Sequence, residues 1–174
     1  MHRAKEGGLE RIRVVEIKYQ PIGFIHSPFT DLENMPIQPA GKASGPGTVD
    51  ILPEFSEGLK DVDGFSHVIL IYHLHKVRRY QLTVTPFLDQ QPRGIFATRA
   101  PTRPNPVGIS VVKLLKVEGN RLYVDEVDIL DGTPLIDLKP YVPEFDVRSD
   151  ARAGWLEKAR GNVRTTVSDD RFKG

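Results

Sequence analysis

Ile109-Ser110-Val111-Val112-Lys113-Leu114-Leu115-Lys116-Val117-Glu118-Gly119-Asn120-Arg121-Leu122-Tyr123-Val124-Asp125-Glu126-Val127-Asp128-Ile129 is the stretch that decides the fold. Two runs, Ile109 to Val117 and Leu122 to Ile129, are rich in β-branched and apolar residues. They flank Glu118-Gly119-Asn120, a tight-turn signal, so the segment predicts a β-hairpin. The same signature recurs on both sides. Downstream, Leu135 to Leu138 reads as a short strand. Upstream, Leu82 to Thr85 and Gly94 to Ala97 are short strands. Phe65 to His75 is a strong one, with Val68-Ile69-Leu70-Ile71 expected to be buried on both faces. Thr48 to Leu52 and Ile22 to Ile25 continue the series, and Ile12, Val14, Val15, Ile17 and Tyr19 carry β character towards Arg11.

Other segments punctuate these strands. Ser27 to Gly47 is predicted as a loop of about twenty residues, a length that usually serves function. Pro53 to Val62 tolerates a helical turn. Only Ser149 to Ala159 reads as a helix, because Ala151, Trp155 and Ala159 recur at four-residue spacing ahead of Gly161. The expected fold is therefore mainly β: a single small β-barrel domain over residues 11–160 with one short C-terminal helix, and flexible termini at 1–10 and 161–174.

Composition narrows the function. The 174 residues suit one domain, and 24 Lys+Arg against 23 Asp+Glu give a net charge of +1. Nucleic acid would have to be gripped by a local patch rather than by global charge. With no cysteine, disulfides, thiolate metal sites and cysteine nucleophiles are excluded. No apolar run reaches the ~20 residues of a membrane span and the polar start is unlike a signal peptide, so the expected location is cytoplasmic. The signatures of a dinucleotide-binding fold, an NTPase loop, a zinc protease helix and a nucleophile elbow are all missing.

One loop dominates the functional reading: Ala97-Thr98-Arg99-Ala100-Pro101-Thr102-Arg103-Pro104-Asn105-Pro106-Val107-Gly108. Three prolines fix φ around Asn105 and also restrict the residues before them. A rigid connection between strands would explain the prolines alone. The arginines, which a stiff turn does not require, point to a preorganised loop whose Arg99 and Arg103 meet carboxylate or phosphate. A second segment runs from Asp128 through Asp131-Gly132-Thr133-Pro134 to Tyr141. The Asp-Gly-Thr-Pro turn has a purely structural reading as well. Asp137, Lys139 and Tyr141, however, share one face of an extended run.

His67, His73 and His75 share strand parity, but His67 is ~20 Å from His73 along a strand. No metal is expected, and His75 is read as facing a ligand. Lys76, Arg78 and Arg79, with Arg93, Arg99 and Arg103, make a candidate phosphate-contacting patch.

Taken in order, Tyr19 to Pro28, Gln38-Pro39, Asp63-Gly64-Phe65-Ser66-His67, Gly94 to Arg99, Arg103 to Gly108, Asp131 to Pro134 and Lys139-Pro140-Tyr141 resemble the TsaA/TrmO-like family. The resemblance covers about residues 19 to 147. It implies a β-barrel homodimer with S-adenosylmethionine near the subunit interface, methylating N6 of threonylcarbamoyladenosine beside the tRNA anticodon. By the same resemblance the cofactor contacts are Gln38, Pro39, Ala40, His75, Lys76, Arg99, Ile109, Asp131, Gly132, Thr133 and Pro134.

Removing a proton from the nucleoside's exocyclic nitrogen calls for a modest base. Asp137 or Asp131 is the candidate, with Tyr141 as positioning partner. Arg103, Asn105, Arg78 and Arg79 are read as facing substrate or RNA. A binding module that holds the same ligand without turnover, and a metal-dependent hydrolase using the histidine strand, are the rival readings.

Overall fold

The computed structural model describes residues 16–32 and 44–159. Its eight strands are β1 (Gly23–His26), β2 (Gly45–Ile51), β3 (His67–His73), β4 (Thr83–Val84), β5 (Arg93–Gly94), β6 (Val107–Glu118), β7 (Arg121–Val127) and β8 (Thr133–Pro140). Six of them close a barrel in the order β1-β2-β7-β6-β3-β8, and all its pairings are antiparallel. The short β4 and β5 pair apart from it. Closure removes the exposed strand edges that an open sheet of this size would have to protect.

The expected hairpin is β6–β7. Gly119 supplies the positive φ that the turn requires. Asn120 locks the turn to β2, with its side-chain amide donating to the Ile51 carbonyl at 2.6 Å and its own carbonyl accepting from the Ile51 amide at 2.9 Å. Alternation along each strand sends Ile25, Val49, Val68, Leu70, Val112, Leu122, Val124 and Leu135 into a solvent-free core.

The structure departs from the sequence expectations in four places. Val68 and Leu70 are fully buried but Ile69 and Ile71 point outwards, because a barrel has one interior face. Glu16 to Pro21 form no strand, and Ile17 and Tyr19 are 71% and 72% exposed. β1 already pairs on both sides with β2 and β8, which leaves the run no edge to join. Ile95–Ala97 is a 3-10 turn rather than the end of a strand. Residues 149–153 are not helical. Gly154 takes φ +58, which an α-helix cannot include, and only a 3-10 stretch, Gly154–Ala159, begins there. Among the described residues the one α-helix is short and lies earlier, α1 (Pro143–Asp146). Among the described residues no helix is long and apolar enough to cross a membrane.

Candidate functional site

β1, β3 and β7 end, and β2, β6 and β8 begin, at the same end of the barrel. Three connections therefore converge there: 27–44, 74–106 and 128–132. Antiparallel closure thus anchors at one end the connections that carry His75, Lys76, Arg78 and Arg79, with Arg99, Arg103 and Asn105 further along the same one, and Asp131 and Gly132 on the third. Gln38, Pro39 and Ala40 belong to the first connection but lie outside the described residues.

The Asp131 turn is held from two directions. The Asp131 amide donates to the Phe29 carbonyl at 2.7 Å and the Gly132 amide to the Ile25 carbonyl at 2.9 Å. Its Oδ1 accepts the Ser27 amide at 3.1 Å and lies 3.3 Å from His26 Nδ1. His26 Nε2 is in turn 3.7 Å from Asp50, which Arg121 grips with both Nε and Nη2. That guanidinium keeps the Asp50 carboxyl below its ordinary pKa. Gly132, at φ +71, allows the chain to reverse into β8. Thr133 Oγ1 donates to the Leu130 carbonyl at 2.7 Å and approaches His75 Nδ1 at 3.4 Å. Burial, with Lys76 and His73 adding like charge, lowers the pKa of His75 and favours a neutral ring.

The proline loop is stiffened by its own hydrogen bonds. The Arg103 amide donates to the Pro101 carbonyl at 2.7 Å and the Val107 amide to the Asn105 carbonyl at 2.8 Å, two three-residue turns in succession. Arg103 Nη1 donates to the carbonyls of Ile95 at 3.1 Å and Thr98 at 2.8 Å. The structure therefore gives Arg103 a loop-closing role in addition to the ligand role read from sequence. Trp155 Nε1 pins the same loop through the Ala97 carbonyl at 2.7 Å, and the Leu74 amide ties β3 to it through the Pro106 carbonyl at 2.8 Å.

Beneath this end lies a polar group that sequence reading missed. Tyr72, Ser110 and Asp128 turn inwards where the core would otherwise be apolar. Ser110 Oγ donates to Asp128 Oδ1 at 2.7 Å and is 3.0 Å from the Tyr72 hydroxyl. Burial raises the Asp128 carboxyl to about 6, opposed by the Ser110 hydrogen bond and by the charge of Arg99. Burial also pushes the Tyr72 phenol far above its ordinary value, so it remains a proton donor. The available signal was parity. Ser110 alternates with the buried Val112 and Leu114 and so had to face inwards.

Asp137, Tyr141 and Ile109 are placed elsewhere. Asp137 and Ile109 are both register partners of Ile71, which makes a row Ile109–Ile71–Asp137 on the outer face. Asp137 Oδ2 is paired with Lys139 Nζ at 2.7 Å. Tyr141 lies at the far end of β8, its ring edge-on to His67 at 6.3 Å between centroids. That end also holds His67, so the strand's histidines do not converge.

A closed six-stranded antiparallel barrel with an internally hydrogen-bonded arginine loop at one end defines a small all-β domain. Comparison with known proteins gives it a family. Residues 24–147 match the tRNA-methyltransferase O N-terminal domain. The chain is 55% identical over 156 residues to a probable S-adenosyl-L-methionine-binding protein of Pyrococcus abyssi, covering 90% of this chain and 85% of that protein. It is 37% identical over 136 residues to a mouse tRNA (adenine(37)-N6)-methyltransferase, covering 73% of this chain but 31% of the mouse protein. The crystal structure of TrmO from Pseudomonas aeruginosa superposes with a TM-score of 0.67 at 39% identity, covering 81% of this chain and 63% of that one. The chain belongs to the tRNA-methyltransferase O N-terminal domain family.

Proposed function

We propose that this protein is an S-adenosylmethionine-dependent methyltransferase acting on N6 of the adenosine beside the tRNA anticodon, with threonylcarbamoyladenosine as the substrate form, and that it works as a homodimer in the cytoplasm. The observation that carries this reading is the convergence of Arg99, His75 and the Asp131–Thr133 turn on one barrel end. The donor set fits the cofactor. Arg99 suits its carboxylate, the acceptor-rich Asp131 turn suits hydroxyls, and a neutral His75 avoids repelling a sulfonium. Gln38, Pro39, Ala40, Lys76, Ile109, Gly132 and Pro134 complete the proposed contacts.

The bound cofactor would supply an electrophilic methyl group whose transfer removes the sulfonium charge. The protein's part is mainly orientation, since a displacement requires the reacting atoms aligned at ~3–3.5 Å. The loop's internal hydrogen bonds and prolines fix Arg99 before any ligand arrives, which lowers the ordering cost of binding. A carboxylate then takes the N6 proton, which the threonylcarbamoyl group renders urea-like. Asp131 is the carboxylate at this barrel end; Asp137, with Tyr141 as its positioning partner, is the other candidate for the role, and it lies on the outer face rather than at this end. Asp137 shares its outer-face row with Ile109, so a dimer formed through that face would give both a place beside the cofactor. Arg78, Arg79, Arg103 and Asn105 are assigned to the RNA.

The test is incubation with labelled S-adenosylmethionine and either unmodified or threonylcarbamoylated tRNA, followed by nucleoside mass spectrometry. Label only in the modified tRNA is expected. Label in the unmodified tRNA gives another target. Label in neither, with the cofactor still bound, gives the binding module that the Pyrococcus relative's name describes.

A further inference from the structure

The loop that carries Arg99 also carries the most exposed aromatic ring in the barrel-end cluster. Phe96 is 76% exposed, although its neighbour Ile95 is 1% exposed in a small core with Val84 and Ala100. Three donors meet on the Ile95 carbonyl: the Thr98 amide at 3.1 Å, the Thr98 hydroxyl at 3.0 Å and Arg103 Nη1 at 3.1 Å. The ring is thus displayed from a rigid base. Arg103 backs it, with its guanidinium carbon 5.8 Å from the ring centroid.

A second exposed aromatic flanks the same loop. The Gln81 amide donates to the Thr102 carbonyl at 3.0 Å and the Ile95 amide to the Leu82 carbonyl at 2.9 Å, so the Tyr80–Leu82 segment runs beside it. Tyr80 is 61% exposed, and the exposed Arg78 and Arg79 immediately precede it.

Core packing does not explain two aromatics held out in water next to guanidinium groups. Aromatic faces interleaved with arginines are what unpaired nucleotides require: a ring for each base and a cation for the backbone. A protein partner or a second copy of the chain would also accept an exposed phenylalanine. The three arginines around these rings favour a polyanion instead. Base-paired RNA is disfavoured, because its stacked bases cannot reach a ring.

We propose that Phe96 and Tyr80 form a stacking platform for the unpaired anticodon-loop bases that flank the methylated adenosine, with Arg103 behind Phe96 and Arg78 and Arg79 contacting phosphates. This inference rests on the tRNA reading above. Phe96 and Arg99 belong to the same tied segment, since Ile95 and Thr98 are both bonded by Arg103, so the platform sits at the barrel end that carries the proposed cofactor contacts. Holding the flanking bases splays the loop and presents the exocyclic nitrogen of the adenosine between them.

The experiment compares wild type, Phe96→Ala, Phe96→Trp and Tyr80→Ala for binding to an anticodon-loop hairpin with 2-aminopurine next to the target adenosine. A fully paired duplex of equal length, S-adenosylmethionine affinity and sedimentation mass serve as controls. Wild type is expected to prefer the hairpin and to quench the fluorophore. Phe96→Ala is expected to weaken hairpin binding roughly 5- to 150-fold, the range for loss of one base–aromatic stack. Tryptophan should restore both binding and quenching, and Tyr80→Ala should show a loss of the same kind. Cofactor affinity and mass should not move.

If wild type prefers the hairpin and Phe96→Ala binds and quenches as well as wild type, the platform is overturned and the tRNA reading stands. If wild type binds cofactor but neither RNA, both fall. A change in mass for Phe96→Ala would assign the ring to a subunit interface and overturn the platform.

Discussion

The Tyr72 ring occupies the space that a side chain at Gly108 would fill: a Cβ there would sit 2.2 Å from Tyr72 Cε2 and 2.5 Å from Cζ. The two residues are register partners on β3 and β6, so the glycine that ends the proline loop is what lets a large ring lie inside the barrel mouth. Tyr72 then reaches Ser110, and through it Asp128. Gly108→Ala is expected to destabilise the fold by roughly 1–3 kcal/mol, the usual consequence of overpacking a filled core. Calorimetry would show this as a melting point lowered by about 2–4 °C per kcal/mol. Trimming the ring in Tyr72→Leu should recover part of the loss in the double variant. A Gly108→Ala protein that melts with wild type would refute the packing argument.

Asp128 gives stability a pH dependence of defined sign. Its folded carboxyl is raised from 3.8 to about 6, with burial as the main cause. The folded state therefore binds this proton more tightly than the unfolded state does. The contribution is fully present below pH about 4 and is lost as pH rises through about 6. Asp128→Asn removes that slope. Urea unfolding across this window should show wild type losing about 1–2 kcal/mol relative to the variant. That figure is reduced from the full shift because part of the carboxyl reaches solvent. Parallel pH curves for the two proteins would place the ionisation elsewhere.

The barrel was legible because it rests on alternation and turn chemistry, which are local. Glu118-Gly119-Asn120 set the hairpin, and the apolar run from Val68 to Ile71 marked β3 as a strand. Which side the intervening Ile69 and Ile71 take was not legible, since an apolar run looks alike buried on one face or two. Ala151, Trp155 and Ala159 have helical spacing, yet the backbone at Gly154 turns the other way and Trp155 serves to pin Ala97. The site loops were recognisable by their residue types. Asp128 was not, because only closure of the barrel turns that end-of-strand carboxylate towards Ser110.

Arg99 and Arg103 are four residues apart and should fail differently. Arg103 Nη1 bonds two backbone carbonyls of its own loop, so Arg103→Ala should increase amide hydrogen exchange across residues 95–105. Trp155→Phe, which loses the bond to Ala97, should do the same more weakly. Arg99→Ala should leave exchange unchanged and raise the Kd for S-adenosylmethionine roughly 10- to 150-fold. That is the effect of losing a charge-assisted hydrogen bond of about 1.5–3 kcal/mol. Lysine at 99 should recover the charge but not the fork, and so only part of the affinity. Equal exchange in all three variants would remove the distinction between clamp and ligand.

The outer face of β3 and β6 predicts where the proposed dimer would pair. Ile69, Ile71, Val107, Ile109 and Val111 share it in register, and Val107 and Ile109 are 41% and 52% exposed. A contiguous aliphatic surface of this kind marks an interaction site. A two-fold dimer would bury it against its own copy, since such interfaces are self-complementary. Ile71 is the central residue of the row, flanked by Ile109 and Asp137. Ile71→Asp would set two new carboxylates against an apolar partner face and beside Asp137. Wild type is expected to sediment at twice the 19.5 kDa chain mass, and Ile71→Asp at the chain mass. Phe24, exposed on β1, serves as the control, because Phe24→Asp should leave the dimer intact. If the cofactor sits against this interface, the monomeric variant should also lose S-adenosylmethionine affinity while its melting point stays within a few degrees of wild type. A monomeric wild type would dismiss the dimer. A monomeric variant with full cofactor affinity would instead show that each barrel end binds the ligand alone.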